Sequence, residues 1–145
     1  MACVFCEIVA GAIAAQIVFE DEISVAFLDS RPLFPGHCLL VPREHVETFA
    51  DLPGALIGPF FGNAQRLSGA VERGMEAEGT FVAMNNRVSQ SVAHLHVHIV
   101  PRWNGDTNFM PILSGTRMLA EGLRALYDKL IEAQSKIDTE FRRST

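Results

Sequence analysis

The segment from Gln90 to Arg102 carries three of the chain's five histidines, His94, His96 and His98, at alternate positions, separated by Leu95 and Val97 and followed by Ile99. In an extended strand, successive side chains point to opposite faces. The three imidazoles would therefore line one face, and Leu95, Val97 and Ile99 would be buried on the other. Near neutral pH an imidazole is a nucleophile, a proton carrier and a metal ligand, so three in register point to a reactive site. Two chemistries fit. In the first, one imidazole attacks phosphorus, and a covalent nucleotidyl-histidine divides a hard displacement into two easier ones. Its neighbours would hold the phosphate oxygens. Gln90 and Ser91, just before the strand, can aim donors at an anion. In the second, the three histidines hold a metal. Such sites usually recruit a carboxylate or a further histidine, and no acidic residue lies between Gly79 and Pro101.

The elements that must position these residues follow from pattern. Cys3 to Ala10 reads as a short helix stopped at Gly11. Gln16 to Glu20 and Ser24 to Asp29 read as strands joined by the turn Asp21-Glu22. Ser30 to Gly36, with two prolines and a glycine, is a loop, and His37 to Val41 is an apolar strand stopped by Pro42. From Asp51, read as an N-cap, to about Glu78, Leu52, Leu56, Phe60, Ala64, Leu67, Val71 and Met75 recur at helical spacing. Pro59 and Gly62 could kink that helix or delay its start, and Gly79 would close it. Thr80 to Asn85 is a fourth strand, antiparallel to the histidine strand. Asn104-Gly105 signals a turn, and a last helix capped by Ser114 or Thr116 carries Met118, Leu119, Leu123, Leu126, Leu130, Ile131 and Ile137. The fold class is α+β: an antiparallel sheet with helices to one side.

Whole-chain properties bound the function. With 145 residues, one domain (1–145) is expected, with no linkers or repeats. A net charge of -5 with 12 basic residues argues against a nucleic-acid partner. No apolar run approaches the ~20 residues that span a bilayer, so no membrane role is expected. The first residues lack the basic start of a signal peptide, and Glu7 interrupts their apolar part. Three cysteines, at positions 3, 6 and 38, do not make a disulfide framework, and a cytoplasmic location is expected.

The pattern His94-Leu95-His96-Val97-His98-Ile99-Val100 resembles the signature of the histidine-triad (HIT) family of nucleotide hydrolases and transferases. Cys3 to Val9, Phe27-Leu28-Asp29, Arg31-Pro32, Pro35-Gly36-His37, Pro42 to His45 and Gln90-Ser91-Val92 resemble further landmarks in the same order. The resemblance implies a HIT-like fold, with a five-stranded antiparallel sheet, a long central helix, a C-terminal helix and an extension from about residue 102. It implies cleavage of a nucleoside monophosphate, AMP in the first instance, from a phosphoramidate, acyl-nucleotide or dinucleoside polyphosphate. The alternative is a catalytically weak nucleotide-binding or adaptor protein. His96 would be the nucleophile, with His98 near the phosphate and His94 in support. Gln90, Ser91 and Asn85 would meet the phosphate, and Asp29 the ribose hydroxyls. Phe5, Ile8, Phe27 and Leu28 would wall the base of a purine nucleotide or conjugate. Homodimers are the expected assembly.

Two further points concern metal and turn. Cys3-x-x-Cys6 alone is equally compatible with two small buried hydrophobes, since zinc requires two more ligands. His45 and His94 are candidates. The resemblance to bacterial HIT proteins with such a set implies one structural zinc per chain on Cys3, Cys6, His45 and His94, with no catalytic metal. Relatives carry a glycine-rich turn before the Gln-Ser/Thr-Val step, and here Asn86-Arg87-Val88-Ser89 has no glycine. Arg102 to Asp106 resembles the branch acting on dinucleoside polyphosphates somewhat more than the phosphoramidase branch.

Overall fold

The structure, a computed structural model, describes residues 3–106 and 123–143. Those residues fall into two compact units, divided after Asp106. The first contains a helix α1 (Val4–Val9) and strands β1 (Ile17–Glu20), β2 (Ser24–Leu28) and β3 (Cys38–Pro42). A long helix α2 (Gly54–Gly74) and strands β4 (Gly79–Ala83) and β5 (Val97–Arg102) follow. The five strands form one sheet in the order β1-β2-β3-β5-β4, with every neighbouring pair antiparallel. The expected α+β class and five-stranded antiparallel sheet are what the chain adopts. The second unit contains α3 (Leu123–Arg143), which exposes Tyr127, Leu130, Ile131 and Ile137. The expected caps Ser114 and Thr116, and Met118 and Leu119, lie outside the described residues.

The sheet is covered on both faces, not on one as expected. Ala26, Cys38, Leu40, Val97 and Ile99 pack with Phe60, Ala64, Leu67 and Val71 of α2. Val25, Phe27, Leu39 and Val41 pack with Phe5 of α1 on the opposite face. The reason lies in the strands: β3 is buried at every position and β2 at four consecutive ones, so each needs cover above and below.

Three boundaries differ from expectation. Asp51 does not cap α2. It closes a capping box in the 3₁₀ turn Phe49–Asp51, where its Oδ2 accepts from Thr48 Oγ1 at 2.6 Å and Thr48 N–H at 3.0 Å. α2 begins after Pro53, runs through Pro59 and ends at Gly74. Gly79 opens β4 instead of closing the helix, because Glu76, at φ 50°, already reverses the chain. The histidine segment becomes strand only at Val97. β3 pairs no further back along it than Val97 and β4 no further back than His98, so the amide of Leu95 turns to the Val46 carbonyl at 2.7 Å. The alternation survives, since Leu95, Val97 and Ile99 all enter the α2 core.

Candidate functional site

Cys3 sits at the N-cap of α1 and Cys6 in its first turn, which puts both thiols on one face. His45 follows β3, and His94 arrives from the segment before β5. Their donor atoms all lie within 4.8 Å of one another. Cys6 Sγ is 3.2 Å from His45 Nδ1, and His94 Nδ1 is 3.5 Å from both Cys3 Sγ and Cys6 Sγ. His94 Nε2–H donates to the Pro42 carbonyl at 2.9 Å, which leaves the Nδ1 lone pair facing the thiols. Burial, with smaller contributions from His45 and His96, lowers the His94 pKa and keeps the ring neutral, against the Pro42 carbonyl. Two sulfurs and two imidazole nitrogens are the donor set of a closed tetrahedral zinc site, so the residues fit that ion.

The His94 main-chain carbonyl makes the second connection. It lies 2.7 Å from His96 Nδ1, so that nitrogen carries the proton and Nε2 carries the free lone pair. His96 is fully buried, and among the described residues its Nε2 has no hydrogen-bond partner. The Phe5 ring stands edge-on to it at 5.2 Å and the His98 ring at 5.0 Å. An orphaned buried polar atom costs about 1–3 kcal/mol and calls for a function.

His98, on β5, is fixed differently. Leu33 N–H donates to His37 Nδ1 at 3.1 Å, which places the His37 proton on Nε2. That atom lies 3.0 Å from His98 Nδ1, so the His98 proton sits on Nε2. Asp29, His37 and His98 also bring three donor atoms within 4.8 Å. Leu33 N–H occupies one His37 nitrogen and a proton shared with His98 the other, so neither nitrogen of His37 is left for a metal. Asp29 Oδ2 stands 3.7 Å from His37 Nδ1 without a hydrogen bond. Burial pushes the His98 pKa down to about 4, helped by His96 and His37 and opposed by Asp29. Burial likewise lowers His37, against Asp29 Oδ2 at 3.7 Å.

A cleft of about 1020 Å³ opens beside these rings. Of the residues expected there, Phe5, Ile8, Phe27, Leu28, Asp29, Asn85, Ser91 and His98 line it. His94, His96 and Gln90 do not. His96 lies buried next to His98. Gln90 is held away because its Oε1 accepts from Arg87 N–H at 2.6 Å and its Nε2 donates to the Glu47 carbonyl at 2.7 Å. The glycine-free turn adopts left-handed backbone regardless, at Arg87 (φ 65°) and Ser89 (φ 60°), and Asn86 Oδ1 anchors it to Phe49 N–H at 2.7 Å. His37 was not among the expected site residues. The signal available was a histidine placed directly after Gly36, whose φ of 88° turns the chain into β3.

Residues 10–105 match the HIT domain family. An uncharacterized HIT-like protein of Saccharolobus solfataricus is 38% identical over 110 residues, 74% of this chain and 79% of the relative. The bis(5'-nucleosyl)-tetraphosphatase of Schizosaccharomyces pombe is 28% identical over 96 residues, 65% of this chain and 53% of that enzyme. Among solved structures, a zinc-bound histidine triad family protein from Mycobacterium smegmatis superposes with a TM-score of 0.70 at 34% identity. That match covers 92% of this chain and 98% of the other.

The His98 environment sets a pH dependence. Unfolded, a histidine protonates near pH 6.5; folded, His98 does so only near pH 4. Between those values the unfolded chain binds more protons, so stability falls as pH drops through that window. Urea denaturation at pH 7 and pH 5 should show wild type losing more stability than His98→Asn. An equal loss in both proteins would refute the assignment.

Proposed function

Because the chain belongs to the HIT domain family, we propose that it cleaves a nucleoside monophosphate from a phosphoramidate, acyl-nucleotide or dinucleoside polyphosphate through a nucleotidyl-histidine on His96. The observation that carries this is the buried Nε2 of His96, unpartnered among the described residues, with the ring proton held on Nδ1 by the His94 carbonyl. In the first step Nε2 bonds to the α-phosphorus as the bond to the leaving group breaks, and the ring becomes cationic. The His94 carbonyl facing Nδ1–H stabilises that charge. In the second step water attacks phosphorus as the Nε2–P bond breaks, the bonding pair returns to Nε2, a water proton passes to solvent, and the nucleoside monophosphate leaves. His98 offers its Nε2–H and Ser91 its hydroxyl to phosphate oxygens, with Asn85 beside them. Gln90 acts by holding the turn that carries Ser91. Asp29 takes the ribose hydroxyls, and Phe5, Ile8, Phe27 and Leu28 enclose the base. The catalytic domain lies within the first compact unit, and we expect a cytoplasmic homodimer.

The closure over His96 favours one second reading, a nucleotide-binding or adaptor protein that keeps the pocket without turnover. Assaying wild type and His96→Ala on an adenosine phosphoramidate and a diadenosine polyphosphate separates the two. The catalytic reading expects a loss on the order of a thousandfold or more in His96→Ala, with nucleotide binding retained. Binding without turnover in wild type would establish the second reading, and an active His96→Ala would sink the first.

We further propose that Cys3, Cys6, His45 and His94 hold one structural zinc, since all four positions would be protein donors and none would be left for substrate. Bound metal should amount to one equivalent per chain. Cys3→Ser/Cys6→Ser should lose it together with much of the folding stability. Full zinc content and unchanged denaturation in that variant would show the cluster is not the site.

A further inference from the structure

Arg31 also lines the cleft. It belongs to the loop between β2 and β3 and is exposed. Its backbone is pinned on both sides. Arg31 N–H donates to Asp29 Oδ1 at 2.9 Å, and two residues later Leu33 N–H donates to His37 Nδ1 at 3.1 Å. The backbone that carries Arg31 is thus held between the carboxylate assigned to the ribose and the imidazoles assigned to the phosphate. Among the described residues its side chain has no hydrogen bond or ion pair.

Charge gives this placement its meaning. Of the described residues lining the cleft, Arg31 is the one permanent cation and Asp29 the one carboxylate. His37 and His98 have pKa values lowered by burial, so the remaining donors around the phosphate are neutral. Neutral donors can serve a single α-phosphate. A substrate bringing further phosphates adds negative charge beside Asp29, in a chain whose net charge is -5. A guanidinium with free donors answers that need, because its planar fork pairs with phosphate oxygens in bidentate fashion.

We infer that Arg31 is a specificity-determining residue that binds the phosphates beyond the first, which makes nucleotides with a phosphorylated leaving group the favoured substrate class over uncharged amine conjugates. This rests on the nucleotidyl-transfer reading of the cleft, so the test separates the two. Calorimetry of AMP and of α,β-methylene-ATP, which resists cleavage at the α-phosphorus, reads the value of the extra phosphates directly. Wild type should bind the triphosphate analogue more tightly than AMP. Arg31→Ala should shrink that ratio by about tenfold, the scale of one charged hydrogen bond, and Arg31→Lys should retain part of it. In parallel, kcat/KM for diadenosine tetraphosphate relative to adenosine phosphoramidate should drop by a similar factor in Arg31→Ala. If both ligands bind and the ratio is the same in wild type and Arg31→Ala, the role of Arg31 is overturned while the nucleotide reading stands. If neither ligand binds wild type, the reading of the cleft fails and this inference with it.

Discussion

One residue's three polar connections hold the site together. His94 gives its Nε2–H to the Pro42 carbonyl, turns its Nδ1 to Cys3 and Cys6, and offers its own main-chain carbonyl to His96 Nδ1–H. The first ties the segment before β5 to the end of β3. The second ties it to α1, whose Phe5 packs against the His96 ring. The third decides which nitrogen of His96 has a lone pair. A neutral imidazole presents one donor and one acceptor, so fixing the proton on Nδ1 leaves Nε2 the lone pair that the proposed nucleophilic role requires. Any movement of His94 therefore reaches α1, β3 and the His96 ring at once.

A parallel device orders His98, through Leu33 N–H and His37. His94 and His96 thus receive their tautomers from backbone carbonyls, and His98 receives its own through His37 from a backbone amide, none of them from a carboxylate. Carbonyls and amides do not titrate, so this arrangement holds across neutral pH. Burial works in the same direction, keeping His98 uncharged until about pH 4. Under the proposed reaction His98 then meets an anionic substrate as a neutral group. Among the described residues lining the cleft, the fixed positive charge is left to Arg31 in the loop between β2 and β3.

Much of this was legible in the residue pattern, and the physical limits of that legibility are specific. Period-two alternation announced that His94, His96 and His98 face away from Leu95, Val97 and Ile99, because side-chain direction is a local property of extended chain. Where the strand begins was not local, since it depends on how far β3 and β4 extend as partners. The Cys3, Cys6, His45 and His94 cluster was anticipated from ligand types and resemblance, and the fold brings those four together. His37 and Gln90 were not legible. His37 matters through a contact with His98 and a backbone donor at Leu33, and the Gln90 amide is drawn off by the distant Glu47 carbonyl. The cover of α1 on the second face was also missed, although the unbroken apolar runs of β2 and β3 required it.

The central claim is that phosphorus passes through a covalent bond to His96, and its stereochemical course tests that most directly. A substrate with an isotopically or sulfur-labelled chiral α-phosphorus would be hydrolysed and the configuration of the released nucleotide determined. Two successive in-line displacements, first by Nε2 and then by water, predict overall retention. Inversion would mean that water attacks directly, and the buried lone pair of His96 would then need another explanation.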